Sequence, residues 1–415
     1  GMWTLVSGTG NIVSPTSPTT QVNGLGAGVN TFRWTVSNGP CPDAITFDEV
    51  SINVFTSTAQ AANAGADRSI CTPASSVTLA ANAPVLPAVG TWSVLSGPAS
   101  FADVHDPNTT VAGLQVGTTD LEWTIDNGSC GTTSDQMSIV VFDVNNPLAN
   151  AGPDQQFCLP TNSATMGGSS LTAPATGEWT LVSGTGSITD PSSPTTSIIG
   201  LGIGENIFRW TVSNGSCAGS TTQDDVSVTI FDNTVSGSDA GPDQTLCTPV
   251  TSATMAASAA PTPAQGTWTL VSGSGIIANA NDPLTTITGL AVGENVFRWS
   301  VSNGACPVNP PNDLVSIFVY DASDPAANAG PDQQLCTPNT STTLSGSTVT
   351  FPAHGTWTLV SGTGTIVDPN NSTTGVTGLG IGANVFQWSV TNGPCAQPVT
   401  TDQVTLLVFD ATNAN

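Results

Sequence analysis

The sequence predicts an all-β chain organised as a tandem array of antiparallel β-sandwiches. Three observations carry that expectation. The ten tryptophans and nine cysteines recur with a period of about 89 residues. Apolar residues alternate with a period of two in the segments around them, as in Phe297-Arg298-Trp299-Ser300-Val301. Between those segments lie turn-forming clusters such as Ser213-Asn214-Gly215 and Asn281-Asp282-Pro283, with no 3.6-residue periodicity of useful length.

Taken in order, the tryptophans form the pairs Trp3/Trp34, Trp92/Trp123, Trp179/Trp210, Trp268/Trp299 and Trp357/Trp388, one pair to a unit. The cysteines fall as Cys71 and Cys130, Cys158 and Cys217, Cys247 and Cys306, Cys336 and Cys395. Residues 61–147, 148–234, 235–323 and 324–415 are therefore expected to be complete units, each opening on an A-G-x-D sequence. Residues 1–60 are expected to be a partial unit, because Gly1-Met2-Trp3 aligns with the interior Gly266-Thr267-Trp268 of a full one. Cys41 then has no counterpart inside the chain, and the odd cysteine reads as a mark of truncation.

Within a unit, Phe297, Trp299 and Val301 share a face. The closing segments behave alike, with Val50, Ile52 and Val54, then Met137, Ile139 and Val141, and onward to Val404, Leu406 and Val408, pointing inward. About seven short strands per unit follow. The two tryptophans of each unit, Trp3 and Trp34 included, are expected to be core aromatics that meet across the two sheets rather than stack on a sugar. The constant spacing within units favours pairing each cysteine with its unit mate, Cys71 with Cys130 and so on. The alternative joins Cys41 to Cys71 and continues across each linker, on uneven spacings.

Composition narrows the function. The 415 residues carry 4 Lys+Arg against 29 Asp+Glu, a formal charge of −25, so nucleic acid and membrane insertion are not expected. All four cations are arginine, which removes lysine Schiff bases, a phosphate-loop lysine and lysine isopeptide cross-links. The cysteines are far apart and the histidines, His105 and His354, sit at unrelated positions, so neither a zinc site nor an enzyme is expected. Regular disulfides imply export to the cell surface or beyond.

The linkers supply the only ion-binding candidate. Asp143 and Asp154, Asp232 and Asp243, and Asp321 and Asp332 pair an acid closing one unit with an acid opening the next, a candidate junction calcium site. Each closing strand also ends in an aromatic of outward parity, Phe55, Phe142, Phe231, Tyr320 or Phe409. Packing of that ring on the following unit predicts a semi-rigid rod of roughly 150–200 Å.

The A-G-P-D-Q at Ala151–Gln155, Ala240–Gln244 and Ala329–Gln333, the G-T-W-T-L-V-S-G at Gly266–Gly273, and the V-x-N-G-x-C runs ending at Cys217, Cys306 and Cys395 resemble a known repeat type. It is that of the PKD-like, immunoglobulin-like repeats of very large type IX-secreted surface adhesins of gliding Bacteroidota. The second unit departs from it with Leu121-Glu122-Trp123, and no sorting domain follows Asn415. The resemblance implies a non-catalytic stalk segment of an extracellular adhesin or surface filament, in gliding motility among other settings, without a cofactor. Its partners would be adjacent repeats or other copies in a filament. The other expectations are a self-assembling filament subunit and a glycan-binding module array.

Overall fold

The structure, a computed structural model, describes residues 1–41 and 45–413. Every repeat is β-structure, and helix among the described residues is confined to two short 3-10 turns, Gly128–Cys130 and Ala411–Asn413. The chain divides into two compact units. One comprises Gly1–Asp154, Ser163–Gly200 and Ile207–Ser227, and the other Gln155–Asn162, Leu201–Asn206 and Val228–Asn415.

The second repeat, in the first unit, defines the plan. Its strands are β1 (Arg68–Cys71), β2 (Ser76–Thr78), β3 (Val89–Ser96), β4 (Ser100–Phe101), β5 (Thr110–Ala112), β6 (Gly117–Asp126) and β7 (Thr132–Phe142). One sheet has the order β1-β7-β6-β3 and the other β2-β5-β4. Six of the strands pair antiparallel, but β1 lies parallel to β7, with Cys71 opposite Phe142. That single parallel pair is the departure from a wholly antiparallel sandwich, and it decides where the cysteines go.

The fourth and fifth repeats, in the second unit, share the plan. Their β1 equivalents are Gln244–Cys247 and Gln333–Cys336, and their β7 equivalents Asn312–Tyr320 and Val399–Phe409. The third repeat contributes to both units. In the first, Ser163–Thr165, Ser197–Ile199 and Ser187–Ile188 form a three-stranded sheet. In the second, Gln155–Cys158 runs parallel to residues 228–231.

The first repeat keeps Met2–Ser7, Gly28–Ser37 and Ile45–Val54 as one sheet, with Asn11–Ile12 and Val22–Asn23 as a small second one. Equivalents of β1 and β2 are absent among its described residues. Its inward face is correspondingly less covered: Val50 is 45% exposed, whereas its counterparts Met137 and Val315 are buried.

The tryptophans form the centre of the core in the four later repeats, but within one sheet. Trp92 is the cross-strand partner of Trp123 on β3 and β6, and their rings lie 5.1 Å apart. Trp179/Trp210, Trp268/Trp299 and Trp357/Trp388 repeat this at 5.0–5.1 Å. The expected meeting across the two sheets is thus corrected. Period-two parity fixes which face a tryptophan takes, while the one-to-one register of adjacent strands sets the pair side by side. The G-x-W glycine follows from this register, since a Cβ on Gly90, Gly177, Gly266 or Gly355 would overlap the ring of Trp123, Trp210, Trp299 or Trp388.

The first repeat requires a second correction. Trp3 and Trp34 keep the same cross-strand pairing, with rings 5.2 Å apart, but neither is a fully buried core aromatic. Both are half-buried, whereas Trp92 and Trp123 are at most 2% exposed. The cause is the opposite sheet, which has two strands here in place of three, so the rings of Trp3 and Trp34 lack the cover that β2 gives in a complete repeat.

The A-G-x-D sequence is explained by backbone bonding. Asp67, Asp154, Asp243 and Asp332 accept the N–H of Ser138, Ser227, Ser316 and Thr405 at 2.8–2.9 Å, tying the start of each repeat to its β7. Asp135, Asp224, Asp313 and Asp402 accept in return the N–H of the buried Ala64, Ala151, Ala240 and Ala329.

Candidate functional site, the junction between repeats

The recurrent polar and covalent features converge where one repeat meets the next. The aromatic ending each β7 lies on the glycine of an Asn-Gly-x-Cys turn in the following repeat. Phe55 meets Gly128, Phe142 meets Gly215, Phe231 meets Gly304 and Tyr320 meets Gly393, each so closely that a Cβ on the glycine would overlap the ring. These glycines also have positive φ, from +49° to +56°. Both constraints, space and handedness, select glycine.

The asparagine before each glycine fixes the turn. Asn214, Asn303 and Asn392 are buried, and their side-chain N–H groups donate to the backbone carbonyls of Asp143, Asp232 and Asp321 at 2.8–2.9 Å. Asn127 does the same to Thr56 at 3.3 Å. The acceptor is main chain, which is why Thr56 stands in for an aspartate without loss of the contact.

The disulfides complete the junction and correct the expected pairing. Cys71 is bonded to Cys217, Cys158 to Cys306 and Cys247 to Cys395, with Cα–Cα distances of 5.1, 5.0 and 5.3 Å. Each joins the β1 of one repeat to the Asn-Gly-x-Cys turn of the next. Cys130 and Cys336, expected to pair with Cys71 and Cys395, are free thiols, as is Cys41.

The physical reason lies in the parallel β1–β7 pair. Cys71 sits beside Phe142 at the far end of β7, while Cys130 precedes its near end. An 11-residue strand separates the two, on the order of 35 Å. Unit mates cannot meet, and neither can Cys41 and Cys71 by the alternative route, since Cys71 is taken by Cys217.

The candidate calcium carboxylates are occupied by turns and strands. Asp143 accepts the N–H of Asn145, Asp232 both the N–H and hydroxyl of Thr234, and Asp321 both those of Ser323. The backbone and hydroxyl of Thr234 hold the Asp232 carboxyl below its ordinary value, and the hydroxyl and backbone of Ser323 do the same for Asp321. Asp154, Asp243 and Asp332 face β7 instead. Among the described residues no group of three or more His, Cys, Asp or Glu gathers as a metal site would.

The tryptophans offer no exposed stacking face in the four later repeats, where the β6 rings are at most 1% exposed. The fifth repeat does carry a groove of about 710 Å³ lined by Phe351, His354, Asn370 and Trp388. Its fourth-repeat counterpart holds about 360 Å³ and is lined by Ala259, Ala260 and Gln265 in place of the aromatic and histidine. The groove is a local feature and not a property of the array.

Two sets of residues escape a reading of the sequence. The junction asparagines are visible as Asn-Gly-x-Cys but have the look of ordinary turns. Asn30, Asn206, Asn295 and Asn384 are buried inside each sandwich, and Asn30, Asn295 and Asn384 donate to loop carbonyls of Gly26, Ala291 and Gly380 at 2.9 Å. Their signal is the G-x-N-x-F-x-W sequence, in which a polar residue occupies an inward position. Thr119 replaces this asparagine in the second repeat and leaves its buried hydroxyl without a partner.

Fold and junction together define a tandem array of Ig/PKD-like β-sandwiches. Residues 151–230 match the PKD domain family of the KIAA0319-like type. The human dyslexia-associated protein KIAA0319 is similar to this chain, 28% identical over 273 residues, which cover 62% of the chain and 25% of that protein. The chain thus spans about a quarter of the length of this relative. Among solved structures, the PKD domain from KIAA 1837 protein is 28% identical over 22% of this chain and 94% of its own, with a TM-score of 0.20. Sidekick-1 immunoglobulin domains 1–5 align over 92% of this chain and 86% of theirs, at 11% identity and a TM-score of 0.28. No helix among the described residues is long and apolar enough to cross a membrane.

Proposed function

We propose that this chain is a non-catalytic spacer segment of an extracellular adhesion-type protein, whose repeats transmit tension between an anchor and a binding tip. The observation that carries this reading is the covalent joining of successive repeats: three disulfides close loops of 146, 148 and 148 residues, each across a junction. A bond inside a repeat would protect that repeat alone. A bond between repeats keeps neighbours registered when either is strained.

The similarity to KIAA0319 and the oxidised cysteines support a setting outside the reducing cytosol. The Bacteroidota surface adhesins remain the family whose repeats the sequence resembles, and a bacterial stalk is one form of the proposed role.

Single-molecule pulling tests it. Releasing one 146-residue loop frees about 500 Å of contour at roughly 3.5 Å per residue. The oxidised chain is expected to lack extensions of that size, and reductant is expected to bring them out. Equal extension with and without reductant would overturn the spacer reading.

A further inference from the structure

The fifth repeat ends in half of a junction. Cys336 lies opposite Phe409 in the same parallel register that sets Cys71 opposite Phe142, Cys158 opposite Phe231 and Cys247 opposite Tyr320. The surrounding backbone is already in the docked form. Thr337 donates its N–H to the Phe409 carbonyl at 3.0 Å, as Thr248 does to Tyr320, and Ala411 donates to the Thr337 hydroxyl as Ala322 does to Thr248. What differs is cover: Phe409 is 49% exposed where Phe231, under its turn, is 6% exposed. Cys336 is an exposed thiol.

The first repeat carries the complementary half. Asn38-Gly39-Pro40-Cys41 has the Asn-Gly-x-Cys sequence of the four docked turns, and Gly39 has φ +65°. Nothing lies within 4 Å of a Cβ placed on Gly39, whereas an aromatic ring fills that space at Gly128, Gly215, Gly304 and Gly393. Asn38 and Cys41 are exposed, while Asn127, Asn214, Asn303 and Asn392 are buried.

We propose that the Cys336–Phe409 face of one copy takes the Asn38-Gly39-Pro40-Cys41 turn of a second copy, end to end. A disulfide between Cys336 and the second copy's Cys41 seals the contact. The inference rests on the junction geometry and not on the spacer reading. The occupant follows from the chain itself, since four such turns already seat on four such aromatics. Formation is a two-electron oxidation. Both thiols lose their protons, one S–S bond forms, and glutathione disulfide accepts two electrons and two protons to give two glutathione thiols.

Two versions of the full chain test this in a glutathione redox buffer. One keeps Cys336 and carries Cys41→Ser and Cys130→Ser; the other keeps Cys41 and carries Cys336→Ser and Cys130→Ser, with a heavy-isotope label. Mixed, they are expected to give a Cys336–Cys41 heterodimer at least ten-fold in excess of either homodimer. Phe409→Asp in the first version, or Gly39→Asn in the second, is expected to lower the heterodimer yield at least ten-fold. Asparagine tolerates the left-handed backbone at position 39, so that turn keeps its shape and loses only the space for the ring. Tryptophan fluorescence of each variant before mixing confirms folding. Homodimers as abundant as the heterodimer, or a heterodimer unaffected by both variants, would overturn the proposal by showing thiol reactivity without docking.

Discussion

At the scale of single residues, the tryptophan pairs and junction glycines carry the sharpest expectations. Trp299 is fully buried and its indole N–H donates to the Ser258 carbonyl at 3.0 Å. Trp299→Ala therefore leaves a cavity and an orphaned carbonyl, and is expected to cost about 3–5 kcal/mol by urea denaturation of the fourth repeat. Gly304→Ala meets two penalties, a left-handed backbone at φ +51° and overlap with Phe231. A loss of roughly 1–3 kcal/mol is expected in the same measurement. Gly39→Ala meets only the first penalty, so it is expected to be the milder change. These positions show how far sequence alone reaches. The parity of Trp299 with Phe297 and Val301 establishes that it is inward, because strand alternation is local. Parity says nothing of cover, and Trp34, with the same parity, stays half-buried for want of a strand opposite. Which ring a tryptophan touches depends on strand register, which the spacing of tryptophans along the chain does not encode. Asn303 is hidden by a different cause: Asn-Gly is favoured in any turn, and only the neighbouring repeat reveals that its amide is buried and donating.

At the scale of elements, the short turns after β7 respond to pH. In the folded chain the Asp321 carboxyl titrates below its ordinary value of 3.8, because the Ser323 hydroxyl and backbone N–H bond to the ionised form. Asp410 is depressed likewise by Thr412. The unfolded chain binds these protons first, so the turns contribute stability above about pH 3.8 that is lost as pH falls through the lower folded values. Melting temperature is expected to fall between pH 5 and pH 2.5, and Asp321→Asn, which keeps an acceptor but cannot ionise, is expected to flatten that slope. The same occupancy bears on calcium. With Asp143, Asp232 and Asp321 turned into their own loops, and Asp154, Asp243 and Asp332 bonded to β7, chelator is expected to leave the melting temperature unchanged. A rise of several degrees on adding calcium would reinstate the junction site. The strand plan itself is legible because each β7 alternates cleanly. The parallel placement of β1 is not, since Arg68–Cys71 is four residues long and carries no pairing signal of its own. That one misjudged neighbour is what turns the expected disulfides inward.

At the scale of the whole chain, the disulfides link what the repeat pattern presents as separate beads. Reducing the 148-residue loop at Cys158–Cys306 restores about 5 kcal/mol of chain entropy to the unfolded state in the loop-closure account. Cys158→Ser with Cys306→Ser is therefore expected to lower the denaturant midpoint of the third and fourth repeats together, and to leave that of the first unchanged. If only one repeat responded, the bond would be acting locally. The repeat count and the sandwich class are both readable from the tryptophan and cysteine period. The direction in which a cysteine looks for its partner is not, because a period is the same for bonds within repeats and bonds between them.

The bond order also sets a timetable. As the chain emerges from its amino end, Cys71 appears first, Cys130 becomes available next, and its true partner Cys217 arrives only after 146 residues have passed. The earliest available thiol is thus the wrong one, and what prevents the error is the folding of the second repeat, which carries Cys71 and Cys130 to opposite ends of its last strand. Each repeat must fold while still reduced, holding its first cysteine in reserve until its neighbour has folded too. Oxidation then acts as an inspection step, since a misfolded repeat would present its thiols to the nearer partner and be sealed in a form that a disulfide isomerase, or a protease, can recognise.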